Sequence, residues 1–235
     1  MDEYDKKTGG ETVNPTDFSC AQCNVYACKK EGEKQYPKFC LTTQELEGRP
    51  AREIILEIRQ HLLEDSEDRR IFQAAAEVEG LFFGKYTRVE EICEFAKRLG
   101  AKKIGIATCH GLIRETKIFS KILQEKGFDY IAAGCKVGNL DKTEVGVADE
   151  IKIHPGTFEA TCNPILQAKI LNDHHTDLNV IVGLCVGHDS LFTKYSQAPV
   201  TTLITKDRVM GHAPVLALYT AEEYRPYLLK CSEME

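Results

Sequence analysis

The sequence predicts an α/β protein: an open, mostly parallel sheet with flanking helices, preceded by a helical section and a small N-terminal four-cysteine metal module. Three observations predict it. From Lys103 onward, short apolar runs alternate with helical stretches, the pattern of a sheet covered by helices. Before that point, three amphipathic stretches follow one another with no strand between them. Earlier still, residues 18–48 carry four cysteines and little apolar content. The expected divisions are therefore a tail at 1–17, the four-cysteine module at 18–48, a helical section at 49–100 and the α/β domain at 101–235.

In chain order, residues 1–17 are polar and read as a disordered tail, with the pattern of neither a signal peptide nor a transit sequence. The module at 18–48 offers only Phe18, Val25, Tyr26, Tyr36 and Phe39 as apolar anchors, so it needs a staple or a neighbour to fold. Pro50 suits the first position of a helix. Ala51, Ile54, Ile55, Ile58 and Leu62 then fall on one helical stripe. Ser66 caps a second helix, with Glu67 and Asp68 in its first turn and a stripe from Ile71 to Phe82. Thr87 and Glu90 form a capping box for a third, which buries Val89, Ile92, Cys93, Ala96 and Leu99 and stops at Gly100.

Strands are expected at 103–108, 129–134, 179–184, 200–205 and 214–219, with a short one at 150–153. Helices are expected at 111–126, after Pro164, near 188–195 and from Ala221. Asn163 is placed to cap the helix after Pro164. The irregular stretch from Val137 to Asp149 reads either as a lid or as an ordinary surface excursion.

The formal net charge of −6 over 235 residues comes without any basic block, which argues against nucleic acid as a partner. No apolar run is long enough for a membrane span, and the expected location is the cytoplasm. Ten cysteines are many for such a chain. A long, unsecreted protein able to build an ordinary core does not need a disulfide framework, so clustered thiols point to metal binding or thiol chemistry.

Cys20, Cys23, Cys28 and Cys40 have the spacing C-x2-C-x4-C-x11-C, in which the first pair can reach one ion through a tight turn. Four thiolates suit structural zinc and also a 4Fe-4S cluster, which is favoured here. The second set is Cys109, Cys135, Cys162 and Cys185. Three of these end apolar strands, and Cys162 precedes the helix that opens at Pro164. In an open parallel sheet the carboxyl ends of the strands face the ligand crevice, so these residues are expected to meet there and bind an iron–sulfur cofactor or zinc. Lys136 and His188 are catalytic candidates, and His110 and His212 lie at comparable loop positions. Cys93 belongs to a packing stripe, and Cys231 in the tail reads as incidental.

Gly183-Leu184-Cys185-Val186-Gly187 also resembles the nucleophile elbow of class I glutamine amidotransferases. The His-x-Glu pair of those enzymes is missing, since His212 is followed by Ala213-Pro214. More broadly, Cys20-Ala-Gln-Cys23 with Cys28 and Cys40, Ala-Gly-Cys135-Lys-Val-Gly, Thr-Cys162-Asn-Pro and Gly-Leu-Cys185-Val-Gly-His-Asp carry a whole-chain resemblance. The chain resembles a family of prokaryotic proteins described as uncharacterised metal-binding proteins, a domain of unknown function. The resemblance implies metal binding and supplies no reaction. The expected function is a metal-binding, iron–sulfur protein acting in redox or Lewis-acid chemistry, with a small-molecule substrate or an electron-transfer partner. The alternatives are a cysteine-nucleophile hydrolase with structural zinc and a non-catalytic metal carrier or sensor.

Overall fold

The computed structural model describes residues 20–32 and 35–229. The expected tail at 1–17, Phe18 and Cys231 lie outside the described residues. The chain divides into two units, Met1–Gln73 and Ala74–Glu235, and the boundary falls within a helix.

Among the described residues, the first unit buries few apolar side chains. It holds 3-10 turns at Cys20–Gln22, Ala27–Lys29 and Leu41–Thr43, then a minimal antiparallel hairpin of β1 (Glu45–Leu46) and β2 (Arg49–Pro50). Helix α1 (Ala51–His61) follows. Pro50 is the N-cap of α1 rather than its first helical residue, because Arg49–Pro50 is still extended. Of the expected α1 stripe only Ala51 is buried; Ile55 and Ile58 are exposed. Helix α2 (Glu67–Phe82) begins as the sequence implies, with the Ser66 hydroxyl accepting the Arg69 N–H at 3.2 Å.

The second unit contains the remainder of α2, α3 (Arg88–Leu99) and the sheet. The Thr87–Glu90 capping box is present, and Gly100 ends α3 in the left-handed region with φ 73°. The sheet consists of β3 (Lys103–Thr108), β4 (Asp129–Gly134), β5 (Leu178–Val182) and β6 (Val200–Ile204). All pairings are parallel, in the order β4-β3-β5-β6. Helix α4 (Ile113–Glu125) connects β3 to β4, α5 (Pro164–Asp173) connects β4 to β5, and α6 (His188–Tyr195) connects β5 to β6. The progression of strands across the sheet reverses after β4, so right-handed crossovers put α4 on one face and α5 and α6 on the other. The central strands β3 and β5 are almost wholly buried, in a core that includes Ile104, Ile106, Leu123, Leu171, Val180 and Phe192.

Two expected strands are not strands. Residues 150–153 lie in a 3-10 turn, Asp149–Ile151, and the bend after it, where the Lys152 ammonium turns inward to Asp141 (2.7 Å) and Asp149 (3.0 Å). Residues 214–219 instead form helix α7 (Val215–Tyr219). Pro214 precedes it with helical φ and ψ, and the sheet ends at β6. Strands β5 and β6 also stop one or two residues earlier than expected. The tail from Ala221 forms a turn and the 3-10 helix Pro226–Leu229. The segment from Val137 to Asp149 belongs to a longer, internally tied loop. Asp141 accepts the Thr143 and Glu159 N–H groups, and the Thr161 N–H returns to Leu140. Among the described residues, no helix is long and apolar enough to cross a membrane.

Candidate functional site

Strand order reverses between β3 and β5, the point at which open α/β sheets bind ligands outside the carboxyl ends of their strands. Cys109 follows β3 directly, and its N–H donates to Val182 O at the end of β5 (3.1 Å). Cys135 follows β4. The Asn163 N–H donates to Cys135 O (2.8 Å), which fixes the start of α5 beside the end of β4. The Asn163 side chain caps α5 by accepting from Leu166 N at 3.0 Å. Cys162, immediately before that cap, is thereby held next to Cys135.

Three sulfurs meet as a result. The Cys135 thiol lies between those of Cys109 and Cys162 and interacts with both. Each flanking sulfur has a cation. Lys206 Nζ donates to Cys109 Sγ at 3.2 Å, while Lys136 reaches Cys162 and also donates to Ala160 O. The Cys109 thiol is pushed well below its usual range, first by Cys135 and then by the Gly111 N–H and Lys206, against the cost of burial. Cys162 is lowered in the same way, first by Cys135 and then by Lys136 and His188. Cys135 is driven strongly upward, by its contact with Cys109 first, then by Cys162 and burial, although the His110 N–H donates to it at 3.2 Å. The two outer thiols are thus shifted toward the thiolate form and the central one toward the thiol.

Cys185 stands apart from this trio. Beyond β5, Gly183 turns the chain with φ 71°, Leu184 is buried, and Cys185 emerges half-buried with its sulfur 3.2 Å from Arg208 Nη2. Its carbonyl accepts the N–H groups of His188 and Asp189 at the start of α6. His188 Nδ1 is buried and has no hydrogen-bond partner. His212 faces its own loop, where its Nδ1 accepts the Asp207 N–H. Among the described residues, no group of three or more His, Cys, Asp or Glu side chains is disposed to hold a metal ion as it stands. In the first unit, Cys20, Cys23, Cys28 and Cys40 nevertheless line one small hollow of about 100 Å³, walled by Tyr26, Pro37 and Phe39. Cys93 is buried in its helix.

Sequence reasoning did not find Lys206, Arg208 or Gln167. The first two lie in a polar turn with no periodic signal. Gln167 is fully buried on α5, and its amide nitrogen donates to Ala133 O (2.7 Å) and Thr108 O (3.2 Å). It fastens β3 to β4 just before Cys109 and Cys135. A glutamine at a core position of an apolar helix was the available signal.

Fold and site together define an α/β protein with cysteines gathered at the topological switch point. The chain belongs to the family described as "Protein of unknown function (DUF1847)", whose profile matches residues 48–203. That span includes all four crevice cysteines and begins after Cys40. The chain is similar to "Uncharacterized protein MJ0455" of Methanocaldococcus jannaschii, with 45% identity over 203 residues, covering 86% of this chain and 94% of the relative.

Proposed function

We propose that the chain is an iron–sulfur protein whose main centre is held at the carboxyl edge of the sheet by Cys109, Cys135 and Cys162, with Cys185 at its rim. The observation that carries this reading is the meeting of three sulfurs delivered by three separate elements. The donor set fits: thiolates are the ligands that iron–sulfur centres take, and two of the three thiols are shifted toward that form. Lys206 and Lys136 supply counter-charge, the His110 N–H donates to the central sulfur, and Gln167 holds the strand ends in register. Ligation would replace the present sulfur–sulfur contacts. When bound, the cluster supplies electron transfer or Lewis acidity toward a small molecule. The hollow lined by Cys20, Cys23, Cys28 and Cys40 is a second centre, structural zinc or a further cluster.

Support for Cys185 as a nucleophile is weaker. An elbow strains the nucleophile itself, whereas here positive φ falls on Gly183 and Gly187, and Cys185 is not among the described positive-φ residues. His212 is engaged by its loop, and His188 acts on Cys162.

The test is anaerobic purification followed by iron, sulfide and zinc analysis. We expect a brown protein with about four irons per cubane centre. Cys162→Ala should lose the iron of the crevice centre. A colourless chain containing zinc and no iron overturns the reading.

A further inference from the structure

Within the cluster reading, the four crevice cysteines divide three and one. Cys135 lies beside both Cys109 and Cys162, while Cys185 has Arg208 as its neighbour. Arg208 is presented by a turn that holds itself. The Asp207 carboxylate accepts the N–H groups of Val209 (2.9 Å) and Met210 (2.8 Å), and the His212 N–H closes onto Asp207 O at 2.8 Å. Gly211 and His212 have the positive φ that such a closure requires.

The guanidinium is exposed, and Cys185 Sγ is its hydrogen-bond partner among the described residues. A thiol uses one of five donors and is a weak acceptor. None of Lys136, Lys206 and Arg208 has a carboxylate partner among the described ion pairs, so one edge of a net-negative chain gathers three cations. Two of them already face the outer sulfurs of the trio. Arg208 faces the sulfur outside it, yet lies within electrostatic reach of Cys109 and Cys162.

We propose that Arg208 and Cys185 frame a subsite for a small oxyanion, a carboxylate or a phosphate, beside the three-cysteine centre, and that Cys185 is a wall of this subsite rather than a ligand of the centre. The guanidinium fork matches two oxygens of either group, and an incoming oxyanion displaces the weaker thiol contact. Three protein ligands leave room for a small molecule at the centre, and the oxyanion is the handle by which it is held.

The experiment uses the full chain, reconstituted anaerobically, as wild type, Cys185→Ser, Arg208→Gln and Arg208→Lys. Iron is counted in each. Succinate in one arm and inorganic phosphate in another are titrated by calorimetry and by the visible and paramagnetic-resonance spectra. We expect Cys185→Ser to keep its iron and its oxyanion binding. Arg208→Gln should keep its iron and weaken the preferred oxyanion by about tenfold or more, with Arg208→Lys between it and wild type. The arm that binds assigns carboxylate or phosphate. Loss of iron in Cys185→Ser makes that residue a ligand and overturns the proposal. So does binding that Arg208→Gln leaves unchanged, or a wild type that binds neither anion. A wild type without iron fails the cluster reading alone, and the calorimetric comparison with Arg208→Gln still decides the oxyanion site.

Discussion

Cys135 lowers the thiols on either side of it and is itself driven upward by them. It lies beside both outer sulfurs, and its interaction with each is the largest cause that lowers Cys109 and Cys162. The folded-state value of Cys162 lies below that of an unfolded thiol. Its contribution to stability is therefore present above the unfolded thiol range and is lost as pH falls through the lowered folded value. Reactivity follows the same charge, because the thiolate is the form that alkylates. In the metal-free chain, the half-buried Cys162 should react with iodoacetamide at about pH 6, where an ordinary thiol is nearly inert. Cys135→Ala removes the largest cause of the lowering. The rate at Cys162 should then drop, by about tenfold for each unit that its pKa rises above the assay pH. Peptide mass spectrometry after timed alkylation reads this directly, and an unchanged rate would assign the lowering to Lys136 and His188 instead.

The elements place these residues through what happens where each strand stops. Cys109 and Cys135 continue directly from β3 and β4, whereas β5 needs a turn before Cys185. Gly183 makes that turn with φ 71°, and a Cβ there would stand 2.0 Å from Leu112 Cδ1, in the core. Gly183→Ala combines backbone strain with overpacking and should cost about 3 kcal/mol or more. Urea denaturation of the metal-free chain measures it; a loss below about 1 kcal/mol would show that Leu112 yields. The strand endings of β3 and β4 were legible in the sequence because an apolar run with strand spacing stops abruptly at a polar or glycine-bearing loop. Helix α7 was misread for a related reason: Val215 to Tyr219 is a short apolar run, and periodicity alone does not separate strand from helix at that length. The 3-10 turn at Asp149–Ile151 escaped because its cause is a non-local ion pair from Lys152 to Asp141. Lys206 and Arg208 carry no pattern at all; only the return of the chain after β6 brings them to Cys109 and Cys185.

At the scale of the whole molecule, the two units have very different resources. The second encloses a continuous apolar cluster between sheet and helices. Among the described residues of the first, Ala27 and Ala51 are the buried apolar ones, while Val25, Tyr26, Leu41, Leu46, Ile55, Leu56, Ile58 and Leu63 are exposed. Burying two alanines does not offset the entropy of ordering such a segment, so its order has to come from something besides a core. The hollow shared by Cys20, Cys23, Cys28 and Cys40 is where a metal staple would act, because ligand binding to thiolates contributes folding free energy directly. Chelation should then separate the units. Metal-loaded chain should resist limited proteolysis between residues 20 and 60, and a strong chelator should open that stretch to cleavage. The fragment containing β3 to β6 should persist. Cys23→Ala should mimic the chelator in the first unit alone. A first unit that stays protected after chelation would mean that contacts other than metal ligation order it, and the four-cysteine hollow would lose its structural role.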